Sequence, residues 1–543
     1  MTARFVKAAE AAAMVKDGAT MATVGMTLVS AAESILKALE ASFLASGTPR
    51  DLTFVHSAGQ CNRDRGNQHL CHQGMVKRVI GGHWGLAPRW MEMIGSNQVE
   101  AYNLPQGQIA QLYRSMACGL PGKMSKVGLG TYIDPRVEGG KMNPRTRSLP
   151  DIVEVMEYGG EEYLFYKAIP LDIVIIRGTT ADEMGNISCE EEAMKLEVMP
   201  AVLAAKRYGG KVLAQVKRVA RTGTLHPKQV VVPGFFVDAI VVCDNPELDH
   251  RQTHSFAYDP SLSGDLVMPV AAVEPLPLSI RKVIGRRAAM ELTLGTAINM
   301  GTGIPNDIIG GVLAEEGLSE DVLVTVESGV YGGIPEGGID FGVAHNTYAL
   351  IPHEVQMDFY NGMGIPFTYM GAGEMDEVGH VNATKFGDRS PGCGGFIDIT
   401  QNAGHVVFCS TFTARGLEVE FAGGKLRIVK EGTQKKLVKK VTQISFNGEI
   451  ARQKRQKVHF VTERAVFELR PEGPVLIEIA PGVDLKRDIL EQMEFTPIVA
   501  QDLKTTDASL YNVGRFDLKA KLYAKAKAEE ERRERNLCDS RIK

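Results

Sequence analysis

"DIVIIRGTTADEMGNIS", residues 172–188, and "IPFTYMGAGEMDEVGHVN", residues 365–382, decide the fold. Each is an apolar strand, a small-residue turn, then Asp-Glu-x-Gly-x-(Ile/Val)-(Ser/Asn), with Asp182 and Asp376 in matching places. Downstream, "KVLAQVKRV" and "HVVFCSTFT" stand at a common offset, so that Val212 follows Asp182 as Val406 follows Asp376. Upstream, "GATMATVGMT" and "GTAINMGTGIP" are both short apolar strands running into a Gly turn. One short motif can match by chance. Strand, turn and strand at matched spacing argue duplication of an α/β unit. The expected fold class is α/β, with two similar open α/β domains fused in one chain.

At 543 residues the chain is too long for one ordinary domain. A Pro- and Ser-rich stretch, "HRQTHSFAYDPSLSGDLVMPVAAVEPLPLS", marks the boundary. The expected organisation is an N-terminal domain over 1–250, a linker over 251–280, a C-terminal domain over 281–520 and a charged helical tail over 521–543. Hydrophobic residues make up 44% and charged residues 23%, the profile of a globular enzyme. The net charge of -4 gives no basic field for nucleic acid. "MTARFVKAAEAAAMVKDG" reads as an amphipathic helix without the apolar core of a secretion signal. No apolar run is long enough to cross a membrane, so a cytoplasmic protein with no membrane partner is expected. The eight scattered cysteines read as reduced thiols. Cys61, His69, Cys71 and His72 cluster, but their spacing does not suit tetrahedral zinc, and no metal is expected.

"VLVTVESGVYGGIPEGGIDFG", residues 322–342, carries the chemistry. "VLVTV" is a β-branched strand that the following glycines must end. Glu327 therefore stands at a strand end, where α/β proteins build their sites. A polar turn with a solvated Glu also fits this segment taken alone. Ser328 has no nucleophile-elbow context, and nothing makes His345 its base. "NMGTGIP" offers backbone N–H groups for a phosphate or carbonyl oxygen. Asn382 in "GHVNATKFG", and Gly394 and Gly395 in "PGCGGFIDI", supply amide donors of the kind an oxyanion needs. One carboxylate, several N–H donors and no Ser-His-Asp set point to acyl transfer with Glu327 as nucleophile, its natural partner being a thioester. An unperturbed Glu is already ionised at neutral pH.

These blocks resemble the family I CoA-transferases, particularly those acting on acetate, propionate or acetoacetate. "ESGVYGGIPEGG", "GAGEMDEVGHVNATKFG" and "PGCGGFIDITQNA" carry the resemblance in the second half, and "GGHWGLAPRW", "EAYNLPQGQI" and "ADEMGNISCEEEA" in the first. The resemblance covers all but the charged tail. It implies a fused pair of subunit-like domains with the active site between them. It implies that Glu327 attacks an acyl-CoA to give an anhydride and then a glutamyl-CoA thioester, from which a second acid takes the CoA. By the same resemblance Asn382, Gly394 and Gly395 are oxyanion donors, and Gly301, Gly303, Ile304 and Pro305 contact CoA. CoA is then a substrate and covalent intermediate, with no permanently bound cofactor. The implied partners are short-chain acyl-CoA and small carboxylic acids, in short-chain fatty acid or ketone body metabolism, and the implied assembly is a homo-oligomer, dimer or tetramer. "TVGMTLVSAAE" departs from the family's Gly-Gly-Phe or Gly-Phe at the turn near the acyl pocket, so acyl specificity does not carry over. An acyl-CoA hydrolase using the same intermediate, and a non-catalytic small-molecule regulator of related fold, are the alternatives.

Overall fold

The computed structural model describes residues 4–269 and 275–542. Residues 270–274 of the expected linker and residue 543 of the expected tail lie outside the described residues.

Two mixed sheets, each with a parallel centre, are built on one plan. In the first half the strands are β1 (Thr20–Thr23), β2 (Leu52–His56), β3 (Val76–Gly81), β4 (Glu100–Asn103), β5 (Ile173–Asp182), β6 (Lys211–Ala220) and β7 (Ala239–Val242), in the order β7-β6-β5-β1-β2-β3-β4. In the second half β8 (Ala297–Met300), β9 (Leu323–Val326), β10 (Phe367–Gly371), β11 (His405–Cys409) and β12 (Lys457–Val461) run in the order β9-β8-β10-β11-β12. The shared part of the two orders, β2-β1-β5-β6-β7 and β9-β8-β10-β11-β12, is the same doubly wound arrangement. In such sheets ligands bind beyond the carboxyl ends of the strands, where the strand order reverses.

The repeat read from the sequence is the repeat of the fold. Val212 pairs with Val174, eight residues before Asp182, and Val406 pairs with Thr368, eight residues before Asp376. After β5 and after β10 the chain turns in the same way. Asp182 Oδ1 accepts from Met184 N and Asn186 N at 3.0 and 2.9 Å. Asp376 Oδ1 accepts from Val378 N and His380 N at 3.2 and 2.9 Å. These are Asx turns, which explains an aspartate two residues before the turn's centre in both halves.

The amino terminus differs from expectation. Only Ala8–Ala12 is helical, and Arg4–Phe5 instead adds a parallel edge strand beside β7. The free backbone edge of β7 rewards pairing more than a further turn of isolated helix would. The described part of the expected linker is a bonded strap. Gln252 Nε2 donates to Glu191 O at 2.7 Å in the first half, and Ser261 Oγ meets His345 Nδ1 at 2.6 Å in the second. The last helix begins at Leu518, ahead of the expected tail, because Leu518 and Leu522 are buried in the core of the second half.

The halves meet through α1 (Gln106–Ala117), which follows β4, and through α2 (His353–Asp358) and α3 (Phe396–Thr400) of the second half. The larger apolar core runs continuously through both. At the seam the backbone of 391–394 is bonded to the first half: Trp84 N to Pro391 O at 2.6 Å, Gly394 N to Gly82 O at 2.8 Å and Gln106 N to Gly394 O at 2.9 Å.

Candidate active site

A cleft of about 690 Å³ opens along this seam. Glu327, Gly301, Gly394 and Gly395 line it together, with Met26, Thr27, Gly59, His83 and Gln106 from the first half. Glu327 directly follows β9, Gly301 follows β8, and Gln106 opens α1 just beyond β4. These are all carboxyl ends of parallel strands.

Glu327 is only 8% exposed. Burial pushes its carboxyl up to about 7, against the pull of His353 and the Gln106 amide, and Asp398 adds to the rise. Burial therefore works against the charged form of the nucleophile that the sequence alone leads one to expect ionised. Desolvation of a charge inside the seam is the physical reason, and no single segment of sequence displays it.

Gly395 packs closely against Gln106 and Glu327. A Cβ there would stand 3.1 Å from Gln106 Nε2 and 3.5 Å from Glu327 Cδ. Among the described residues no acceptor takes the Gly395 N–H, whereas the Gly394 N–H is spent on Gly82 O. Gln106 Nε2 is buried without a hydrogen-bond partner. The Gln106 amide, which acts on the Glu327 carboxyl, and the Gly395 backbone thus stand beside that carboxyl.

Asn382 is put to another use. Its Nδ2 donates to Glu374 Oε2 at 2.9 Å and to Lys385 O at 2.7 Å, and its Oδ1 accepts from Thr384 N and Lys385 N. It fixes the chain after β10 and does not line the cleft. Of the loop at 301–305, Gly301 and Thr302 face the cleft, while Ile304 packs on the core and Pro305 opens a helical turn, Pro305–Ile309. Gly303, at φ 86°, has no neighbour within 4 Å of where a Cβ would stand, so its conformation is what demands glycine.

The other groups raised by the sequence are accounted for elsewhere. Glu336 is bonded to His345 Nε2 at 2.8 Å, and Ser328 Oγ donates to Gly342 O at 2.6 Å. His69 bridges Glu33 and Glu40, and His72 joins Glu40, so these histidines serve carboxylates. Gln106 and His353 were not singled out from the sequence. The rule that selected Glu327, a polar residue just past a parallel strand, applies equally to Gln106 in "EAYNLPQGQI".

The lining of the cleft is mixed. Met26, Thr27, Ala58, Leu86 and Phe341 contribute to it, with His83, whose imidazole burial holds down at about 4 and so neutral. Arg389, Gln434 and Lys436 contribute its polar and cationic part.

Comparison with known proteins agrees with this geometry. Residues 5–243 match the Coenzyme A transferase family. The chain is 43% identical over 516 residues to caffeate CoA-transferase of Acetobacterium woodii, covering 94% of this chain and 98% of that protein. It is 40% identical over 511 residues to acetate CoA-transferase YdiF of Escherichia coli K12, covering 93% and 94%. Its fold matches the crystal structure of the acyl-CoA transferase YdiF apoenzyme from Escherichia coli O157:H7, with a TM-score of 0.90 and 39% identity over 95% of this chain and 97% of that one. The same enzyme in its thioester complex with CoA matches with a TM-score of 0.89. The chain belongs to the family I CoA-transferases of the fused two-domain type, and it moves CoA between an acyl-CoA and a carboxylate through a glutamyl-CoA intermediate.

Proposed function

We propose that Glu327 is the residue that carries CoA, and that the enzyme serves small monocarboxylic acids. The observation that supports this most is the juxtaposition of a buried Glu327 carboxyl with the Gly395 N–H and the Gln106 amide.

The chemistry follows from those groups. A Glu327 carboxylate oxygen attacks the thioester carbonyl, and the oxyanion of the adduct is met by the Gly395 N–H. The C–S bond breaks, CoA leaves as thiolate, and an acyl-glutamyl anhydride remains. The thiolate then attacks the glutamyl carbonyl and the first acid departs as its carboxylate. A second carboxylate reverses both steps. Charge and protons balance throughout, so no general acid is needed. Amide donors placed at the developing charge contribute on the order of 10²–10³ in rate each.

The acid is proposed from the apolar part of the cleft lining. Met26, Ala58, Leu86 and Phe341 offer a second carboxylate no cation, and neutral His83 adds none. Arg389 and Lys436 in the same lining suit the phosphates of CoA. With acetyl-CoA as donor, propionate and butyrate are expected to outperform succinate by at least about 100-fold in kcat/KM, because a second buried carboxylate would go unpaired. Succinate equal to propionate would overturn the monocarboxylate reading. Incubation with acyl-CoA alone, then borohydride and peptide mapping, is expected to place the label on Glu327; a label on Glu336 would overturn its role. On family grounds we also propose a homo-oligomer acting in the cytoplasm on short-chain acids, and sedimentation velocity tests the assembly.

A further inference from the structure

We propose that His83 is a specificity-determining residue: its imidazole N–H reads an uncharged oxygen on the acyl chain, which shifts selection toward short hydroxy, oxo and ether acids and away from alkyl acids of the same size. The inference rests on the monocarboxylate reading of the cleft and refines it.

His83 stands two residues past β3, a strand paired in parallel with β2. It lines the cleft together with Met26, Ala58, Leu86 and Phe341, the apolar part of the lining. Its ring sits in a niche of glycines. A Cβ on Gly59, just past β2, would stand 2.9 Å from His83 Nδ1, and one on Gly85 would stand 2.5 Å from His83 Cε1. Neither position has room for a side chain while the imidazole stays where it is. A Cβ on Gly394 would lie 3.8 Å from His83 Cδ2, and one on Gly395 would lie 3.5 Å from Glu327 Cδ. Consecutive Cα atoms are about 3.8 Å apart. The imidazole and the nucleophile thus pack on neighbouring positions of one backbone segment, within reach of a short acyl chain.

The hydrogen bonds fix which edge of the ring works. Gly85 N donates to His83 Nδ1 at 3.3 Å. A neutral imidazole that accepts at Nδ1 carries its proton on Nε2. Burial keeps the ring neutral, in agreement with that tautomer. Among the described residues nothing bonds His83 Nε2, and the atom is not one of the sealed polar atoms, so its N–H opens on the cleft. The nearby side-chain donors are committed elsewhere. Thr27 Oγ1 donates to Met26 O at 2.6 Å, and the Gln106 amide acts on Glu327.

One free donor among apolar side chains discriminates between acids. An alkyl chain laid against it strips water from the N–H and forms no bond in exchange, whereas an oxygen on the chain forms one. A site built to hydrogen-bond a substrate group rejects the analogue that lacks it for this reason. The neutral ring brings no charge, so it suits a hydroxyl, oxo or ether oxygen and does nothing to offset the burial of a second carboxylate. A histidine placed for packing alone would turn its outer nitrogen to a protein acceptor, and an apolar ring would fill the same niche without a donor to satisfy.

Methoxyacetate and butyrate make the test, since an ether oxygen in one replaces a methylene in the other. With acetyl-CoA as donor, kcat/KM is measured for both acids in the parent and in His83→Leu. The ratio of methoxyacetate to butyrate is expected to fall about tenfold in the variant, the upper range for one neutral hydrogen bond. Differences in the acids' own reactivity cancel between parent and variant. His83→Gln places an amide N–H near the position of Nε2 and should hold the ratio within about threefold of the parent. A packing role would slow both acids alike, so an unmoved ratio in His83→Leu would overturn the proposal. A ratio lost equally in His83→Gln would mean that the shape of the ring sets it, and would overturn the proposal too. If His83→Leu fails to fold, His83→Phe decides by the same ratio. Succinate assayed beside them keeps the two readings apart: succinate equal to propionate would refute the monocarboxylate reading, and poor succinate with an unmoved ratio would refute this inference alone.

Discussion

Glu327→Gln is expected to abolish exchange and to stabilise the fold. Transfer of CoA from acetyl-CoA to propionate should fall by more than about 10³-fold, since the amide keeps the shape of the side chain but has no carboxylate to attack the thioester. The same substitution removes a buried charge. The wild-type carboxyl is raised from 4.5 to about 7 by burial, so the folded state holds its proton to higher pH than the unfolded chain does. A carboxyl raised in this way costs nothing below about pH 4.5. Its cost grows as pH rises through the window from 4.5 to 7 and is complete above it. A shift of that size corresponds to about 3 kcal/mol. At pH 8 the Gln variant should therefore unfold a few degrees above the parent, and at pH 4.5 the two should nearly coincide. Thermal unfolding at both pH values, beside the exchange assay, separates this outcome from simple misfolding. Misfolding would lower stability along with activity. Retained exchange would refute Glu327 as nucleophile, and an unchanged pH 8 midpoint would mean that the carboxyl is not strained by burial.

Much of this was legible in the chain, and the rest was hidden for a physical reason. The repeat was legible because an Asx turn demands Asp at a fixed place and parallel pairing demands strands at fixed offsets; Asp182 and Asp376 mark both. Glu327 was legible because a β-branched run cannot continue into glycines. The ionisation of Glu327 was not, because it depends on burial against α1, which lies more than two hundred residues away in sequence. Gln106 and Asp398, which act on its charge, come from two segments far apart in the chain. Asn382 misled for the opposite reason. An Asn after a Gly turn is a good donor in isolation, but here its amide closes the hairpin Glu374–Met375 with Val381–Asn382. Local sequence specified the strand ends well, and the contents of the seam between the halves poorly.

Asp398→Ala is expected to cost about 2–5 kcal/mol of stability, since each buried donor left without a partner costs about 1–3 kcal/mol. Asp398 is fully buried on α3 and reaches across the seam to the start of α1. Its carboxyl accepts from Gly107 N at 2.9 Å and Gln108 Nε2 at 2.7 Å, and from Asn361 Nδ2 at 3.1 Å. The first turn of a helix leaves its N–H groups unpaired and carries partial positive charge. Pro105, at the cap position of α1, offers no side-chain acceptor, so Asp398 serves as the cap from the other half. Alanine would strand the Gly107 and Gln108 donors, leave Asn361 Nδ2 only its longer bond to Gln111, and open a void where no solvent replaces the carboxyl. Because α1 also carries Gln106, loosening its first turn should lower kcat as well as stability. Asp398→Asn isolates the charge. It keeps one acceptor oxygen, so it should lose only about 1–2 kcal/mol. Asp398 raises the Glu327 pKa, so removing its charge lets Glu327 ionise at lower pH. The acid limb of kcat/KM should then move down. Urea unfolding and pH-rate profiles of the two variants test both parts. Asp398→Ala within about 1 kcal/mol of the parent would show that the contact across the seam does not hold α1 in place. An acid limb that rises in Asp398→Asn would reverse the sign assigned to its charge.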